Sequence, residues 1–231
     1  MDNTSLEILE YKRKLKVFSN RNDVGQLHIL KKEVLEIYEK NKRISSQHLV
    51  YLIELIINKK MRSSYDKEAK SSLQNYLFNA EIWTMYEIVL LCNCLFIFDS
   101  SDFPLLVYKS LSAFENESEP YEMDIYKTKL MQNVISQLIY ENKFIQAKEL
   151  LIQFSKTKFQ SESFYSQFVY SWLKDLINLF LKNDKIFLEN LKFKISILRH
   201  LELSDEVNLF KSWLNTFEDK YLSLEESSVK I

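Results

Sequence analysis

Glycine and proline are nearly missing from this chain: one glycine (Gly25) and two prolines (Pro104, Pro120) in 231 residues. So little of either excludes an architecture of tight hairpins and any glycine-rich loop that cradles phosphate. Cysteine is scarce too. Cys92 and Cys94 lie two apart, which on a helix points them to different faces. They cannot bridge one another there and read as buried, reduced, small apolar residues. No charge sign dominates, with 31 basic against 32 acidic residues and a net charge of −1. There is no general electrostatic pull toward nucleic acid or anionic lipid. The longest apolar run, Ile88 to Phe98, is 11 residues and contains Asn93, too short to cross a bilayer. Met1 to Lys14 carries charge every few positions and is no signal peptide. A cytoplasmic chain with no membrane segment is expected.

Catalytic chemistry is equally sparse. His28, His48 and His200 stand alone, with no pair four apart on a helix, so zinc-hydrolase spacing fails. No serine sits between glycines in a nucleophile elbow. Glu225 and Glu226 fall in a polar terminal stretch. The reading is of a non-enzyme, with no catalytic residues, no metal and no cofactor.

What is present is a rhythm. Polar breaks fall at Asn22-Asp23, Ser63-Ser64, Ser100-Ser101, Asn142-Lys143 and Asn183-Asp184, at spacings of 41, 37, 42 and 41. A second set lies between them, near Lys42-Ser45, Ala80-Glu81, Glu117-Pro120, Lys158-Ser161 and Leu203-Ser204. A two-helix repeat of this length cannot bury its apolar faces alone, so neighbours must stack. The fold class read from this is all-α: a tetratricopeptide-like right-handed superhelix of about ten or eleven antiparallel helices. Residues 1–22 read as a leading helix and linker, 23–222 as the helical-repeat domain and 223–231 as a polar tail. With no Gly/Ser/Pro-rich linker, the repeat domain reads as one continuous array.

Within it, Asp23 is expected to cap a second helix, Ser46 to open a third, Asp66 to start a fourth and Asp102 to cap a sixth. The fifth, Glu81 to Phe98, is apolar nearly all round and so enclosed. Asn142 to Phe154 (NKFIQAKELLIQF) and Asn183 to Ile195 (NDKIFLENLKFKI) each set a polar turn before an amphipathic stretch. The tetratricopeptide signature residues are otherwise absent.

Ile82 to Phe98, IWTMYEIVLLCNCLFIF, resembles a signature of the Rgg/MutR group of Gram-positive transcriptional regulators through Trp83, Tyr86, Glu87 and Asn93. Leu73, Tyr76 and Leu77 upstream, and Asn133 followed by Asn142 to Leu151 downstream, resemble the same group, so the likeness spans Leu6 to Phe217. The resemblance implies a helical-repeat domain that dimerises and binds a short imported peptide, as the quorum-sensing half of a regulator. In that group a helix-turn-helix DNA reader comes first. Only five residues precede Leu6, so the expectation is of a chain that touches nucleic acid only when joined to such a domain. The competing reading is a protein-interaction scaffold that grips another regulator.

A peptide backbone needs donors and acceptors together, which asparagine and glutamine supply. Lys129, Asn133 and Gln137 are spaced four apart, and Gln167, Ser171, Lys174 and Asn178 are spaced four, three and four. Asn93 interrupts the fifth helix, with Tyr86 seven residues earlier. Candidate peptide-binding residues are therefore Lys129, Asn133, Gln137, Asn93, Tyr86, Ser171, Lys174 and Asn178. Bland readings stay open: Asn93 as a tie between backbones, the Gln167 stripe as a solvated face, Trp83 and Tyr86 as core.

The terminal helix carries Leu203, Val207, Phe210, Leu214, Phe217 and Tyr221 in an alternating four-three seam, with Trp213 and Leu209 beside it. That seam either packs on the preceding helix pair or meets a second copy across a two-fold axis. The resemblance favours the homodimer, through Val207, Phe210, Trp213, Leu214, Phe217 and Tyr221.

Overall fold

The computed structural model describes residues 3–116, 120–156 and 164–228. Among them are eleven α-helices, two short 3-10 turns and no strand. The chain divides into two compact units, Met1–Ile82 with Asn93–Phe98, and Trp83–Cys92 with Asp99–Ile231. Sequence patterning offered no such boundary, because no linker composition marks it.

In the first unit α1 (Asn3–Asn20), α2 (Val24–Asn41), α3 (Ile44–Met61) and α4 (Lys67–Asn79) pack in order, and α1 also touches α3. The buried faces carry Leu27, Leu30, Val34, Leu49, Ile53, Leu73 and Leu77, recurring at helical spacing. Phe98 closes this core edge-on against Phe78, with centroids 5.4 Å apart.

The second unit holds the first turns of α5 (Met85–Cys94), then α6 (Phe103–Asn116), α7 (Pro120–Tyr140), α8 (Phe144–Lys156), α9 (Phe164–Lys182), α10 (Ile186–His200) and α11 (Ser204–Ser228). From α6 onward each helix packs on the next, while α7 also packs on α9 and α6 on α8. Alternate helices thus form two layers, as in a tetratricopeptide-like repeat. Trp172 and Phe210 meet edge-on at 4.8 Å in its core, and Phe144 stacks on Phe180 at 4.9 Å. Among the described residues no helix is long and apolar enough to cross a membrane.

Several polar breaks are helix C-terminal turns, while Ser100-Ser101 falls in the 3-10 turn ahead of α6. Asn22, Lys42, Arg62, Asn142, Asn183 and Glu202 all have positive φ, the left-handed conformation that ends a helix and that glycine usually supplies. With glycine nearly absent, asparagine and long charged side chains take the position. The breaks at Glu117-Pro120 and Lys158-Ser161 lie outside the described residues, apart from the helix start at Pro120.

Several local expectations need correction. Asp23 and Asp66 do cap α2 and α4, accepting from the N–H of Gln26 (3.0 Å) and Ala69 (2.8 Å). Ser46 does not open α3: the helix starts at Ile44, and Ser46 is buried, taking a bond from Asn41. The fifth helix begins at Met85, not Glu81, because Thr84 and Glu87 form its start: Glu87 accepts from the Thr84 N–H (2.8 Å) and hydroxyl (2.6 Å). That is the capping-box spacing. Asp102 closes the 3-10 turn Ser100–Asp102 by accepting from the Asp99 N–H at 3.2 Å, ahead of α6. The terminal helix runs to Ser228, through much of the stretch read as a polar tail.

The dimer seam is the largest correction. Val207, Phe210, Leu214, Phe217 and Tyr221 are all buried within one chain. Phe210 packs on Phe168 and Trp172 of α9, and Tyr221 on Phe180. Only Trp213 is half-exposed. A row already enclosed by α9 and α10 has no surface left for a second copy.

Candidate functional site

The layer of α7 and α9 positions most of the candidate residues. The inner sides of α7 (Leu130, Val134, Ile135, Leu138 and Ile139) are fully buried. The helix has one exposed side left, and Lys129, Asn133 and Gln137 occupy it one turn apart. At 1.5 Å rise per residue this row is about 12 Å long, matching three or four residues of extended peptide at about 3.3 Å each. The Lys129 ammonium lies 5.6 Å from the centre of the Tyr126 ring. Asn133 donates to the carbonyl of Cys92 at 3.1 Å, an acceptor in the last turn of α5 that has no partner within its own helix. Gln137 donates to Glu141 at 2.7 Å.

Gln167 and Lys174 are exposed on α9, while Ser171 and Asn178 are half-buried. The Ser171 carbonyl takes a bond from Lys194 of α10 at 2.8 Å, and Lys194 also pairs with Asp175. Thr128 of α7 donates to Ser166 of α9 at 2.7 Å inside the protein, so the two helices lie side by side. Tyr86 is half-buried in the first turn of α5, and Trp83 just before it is buried. Asn93 is exposed near the end of α5 and is grouped with the first unit. Cys94 is buried, and burial pushes the Cys92 thiol up to about 12, which keeps Cys92 protonated at neutral pH.

Two polar clusters escaped sequence reading. Ser100 joins Glu141 and Lys143 at the α7–α8 turn, and its carbonyl accepts from Gln146 at 3.3 Å. Burial pushes Glu141 up, but bonds from Ser100, Gln137 and Lys143 outweigh it and hold the carboxyl below its usual value. Lys127 and Asp124 are both buried on α7, and desolvation lowers Lys127 to about 8 despite Asp124. The only prior signal was a polar break at Ser100 and charges among apolar residues on α7.

Three solved structures share this fold. A proposed transcriptional regulator from Listeria monocytogenes EGD-e is 19% identical, with a TM-score of 0.75 over 91% of this chain and 73% of that one. RopB is 18% identical, with 0.74 over 95% and 97%. The SHP pheromone receptor Rgg2(C45S) of Streptococcus dysgalactiae is 18% identical, with 0.69 over 90% and 73%. At these identities the likeness concerns the fold. No curated protein matches the sequence. Residues 31–212, however, match the family described as the C-terminal domain of the HTH-type transcriptional regulator Rgg. That match covers α3 to α10 entire and most of α2, and the chain belongs to that family of regulator domains, not to a family of enzymes.

Proposed function

We propose that this chain is the sensing domain of a cytoplasmic quorum-sensing regulator and binds a short, mainly apolar, imported peptide on the exposed sides of α7 and α9. Family membership supports the regulatory role, and the description of Rgg2 as a pheromone receptor supports the ligand class. The observation that carries the site is the exposed row Lys129, Asn133 and Gln137 along α7, with Lys174 exposed and Asn178 half-buried on α9, which packs against it. These side chains offer donors and acceptors to an extended backbone, while Ile125 and Tyr140 on the same helix are exposed apolar neighbours. Peptide binding acts by favouring one arrangement of the helices over another, and so shifts the population of an attached DNA reader or partner regulator.

Calorimetry with a panel of short apolar peptides tests this. The expected result is saturable binding by the parent chain, weakened severalfold when Lys129 or Asn178 is replaced by alanine, since one such bond contributes about 1 kcal/mol. Peptide binding unaffected by every α7 and α9 variant overturns the site, and no binding by any peptide overturns the function.

A further inference from the structure

The near-zero net charge of the chain is the sum of two unlike parts. The first unit holds 15 basic and 11 acidic residues, the second 16 basic and 21 acidic. Four cations of the first unit gather at one end, where α1 and α3 finish and α2 and α4 begin. Lys60 ties the two finishing ends together, donating to the Ser19 carbonyl at 2.7 Å and to the Asn22 side chain at 3.1 Å. Lys59 lies over the Phe96 ring, 4.4 Å from its centre, and Phe96 meets Tyr65 at 5.7 Å. Arg21 stands in the turn after α1 and Arg62 in the left-handed turn after α3, both exposed.

Basic side chains at helix C-termini complement the helix dipole, and one or two of them would be ordinary. Here four share the end with two carboxylates, Asp23 and Asp66, and each of those accepts from a backbone N–H at the start of the next helix. Among the described residues none of Arg21, Lys59, Lys60 and Arg62 forms an ion pair, whereas Lys14, Lys31 and Lys42 of the same unit do. Burial, and then repulsion from Lys60, lower the Lys59 amine below its ordinary value. Like charges held together without counter-charges repel until an anion arrives. They are spread over two helix ends roughly 10 Å apart, which suits a run of phosphates better than one small anion. Duplex DNA presents such a run, with one charge per about 1.7 Å of its axis.

We propose that this end of the first unit contacts the phosphodiester backbone of duplex DNA through Arg21, Lys59, Lys60 and Arg62. Lysine and arginine on phosphate fix position and orientation without reading sequence. The inference rests on the regulatory role proposed above and not on the peptide site. In such a regulator a joined DNA reader holds this domain near the duplex at high effective concentration, so contacts too weak to hold DNA alone still add to binding. With the whole chain at −1, binding that follows these four cations is local and not a general electrostatic pull.

Fluorescence anisotropy of a labelled duplex of about 20 base pairs, titrated with the full chain at low salt, tests it. Weak binding is expected, equal for two unrelated sequences, with log affinity falling against log salt at a slope of about −3.5 as the counterions of four phosphates are released. Arg21→Gln and Arg62→Gln, both at exposed positions, should leave the circular dichroism melt unchanged. Each should weaken binding severalfold and flatten the slope by about 0.9. Lys156→Gln, in the second unit, should change neither. Peptide calorimetry on the two arginine variants should match the parent, so failure of the peptide site and failure of this surface are seen separately. No binding to either duplex, a slope unchanged in both arginine variants, or binding to phosphatidylglycerol vesicles without binding to DNA overturns the proposal.

Discussion

The side-chain amide of Asn133 donates to the main-chain carbonyl of Cys92 at 3.1 Å, across 41 residues. In the other unit Lys60 donates to the carbonyl of Ser19 at 2.7 Å, again across 41 residues. Both acceptors lie in the last turn of a helix, and the Ser19 carbonyl also accepts the Asn22 N–H at 3.1 Å. Ser100 and Glu141 are also joined across 41 residues. Side chains one repeat on thus tie back to the repeat before it, so residues one repeat apart are joined by hydrogen bonds as well as by apolar stacking.

Asn133 therefore has a structural task besides the ligand contact proposed for it. Asn133→Ala should lower stability by about 1 kcal/mol in urea unfolding, because a helix-end carbonyl loses its partner. Lys129→Ala, which gives up only a contact with the Tyr126 ring, should change stability by under about 0.5 kcal/mol. Equal losses for the two would show that the Cys92 bond contributes nothing.

Replacing Phe210 reports on the core, not on assembly. It is fully buried against Phe168 and Trp172, so Phe210→Ala should cost about 3–5 kcal/mol. Phe210→Asp should prevent cooperative folding, since the carboxylate would be buried with no partner. A folded, merely monomeric Phe210→Asp chain would return the seam to the surface.

Glycine at the helix ends should stabilise. Lys42, Arg62 and Glu202 hold positive φ, which strains a residue bearing a Cβ by about 1–2 kcal/mol. Replacement of any of them by glycine should raise stability by up to about 1 kcal/mol, part of the relief being offset by glycine's freedom in the unfolded chain. Asn142→Gly should gain less, as asparagine tolerates this conformation. Thermal melts of the four variants give the comparison.

The buried amine of Lys127 makes stability depend on alkaline pH. Its folded value is about 8, against an ordinary 10.5. Between these the unfolded chain holds more protons, so stability rises with pH across that window and the contribution is lost as pH falls through 8. Urea midpoints of the parent, compared with Lys127→Met, should therefore improve between pH 8 and 10.5 and run parallel below about pH 7. A constant difference throughout would mean that Lys127 titrates normally.

Local pattern made much of this legible. The turns at Asn22, Asn142 and Asn183, the caps at Asp23 and Asp66, and α8 over Phe144–Lys156 follow from residue types acting on their own backbone within a turn or two. The exposed row on α7 was readable for the same reason, since Leu130, Val134 and Leu138 flank it at the positions that must be buried. The start of α5 was misplaced although Thr84 and Glu87 signalled it, because the apolar run continued the pattern past them.

By itself, the sequence determined the helical class, the repeat length and which side of each helix is apolar, because these depend on periodicity and on the scarcity of glycine and proline. Only tertiary structure decided what each apolar side meets. The α11 seam has the spacing of a contact between chains, yet α9 and α10 enclose it. Ile152 and Phe193, spaced like core residues, stand in solvent. Spacing specifies a direction around a helix axis, whereas burial depends on whether another helix lies in that direction.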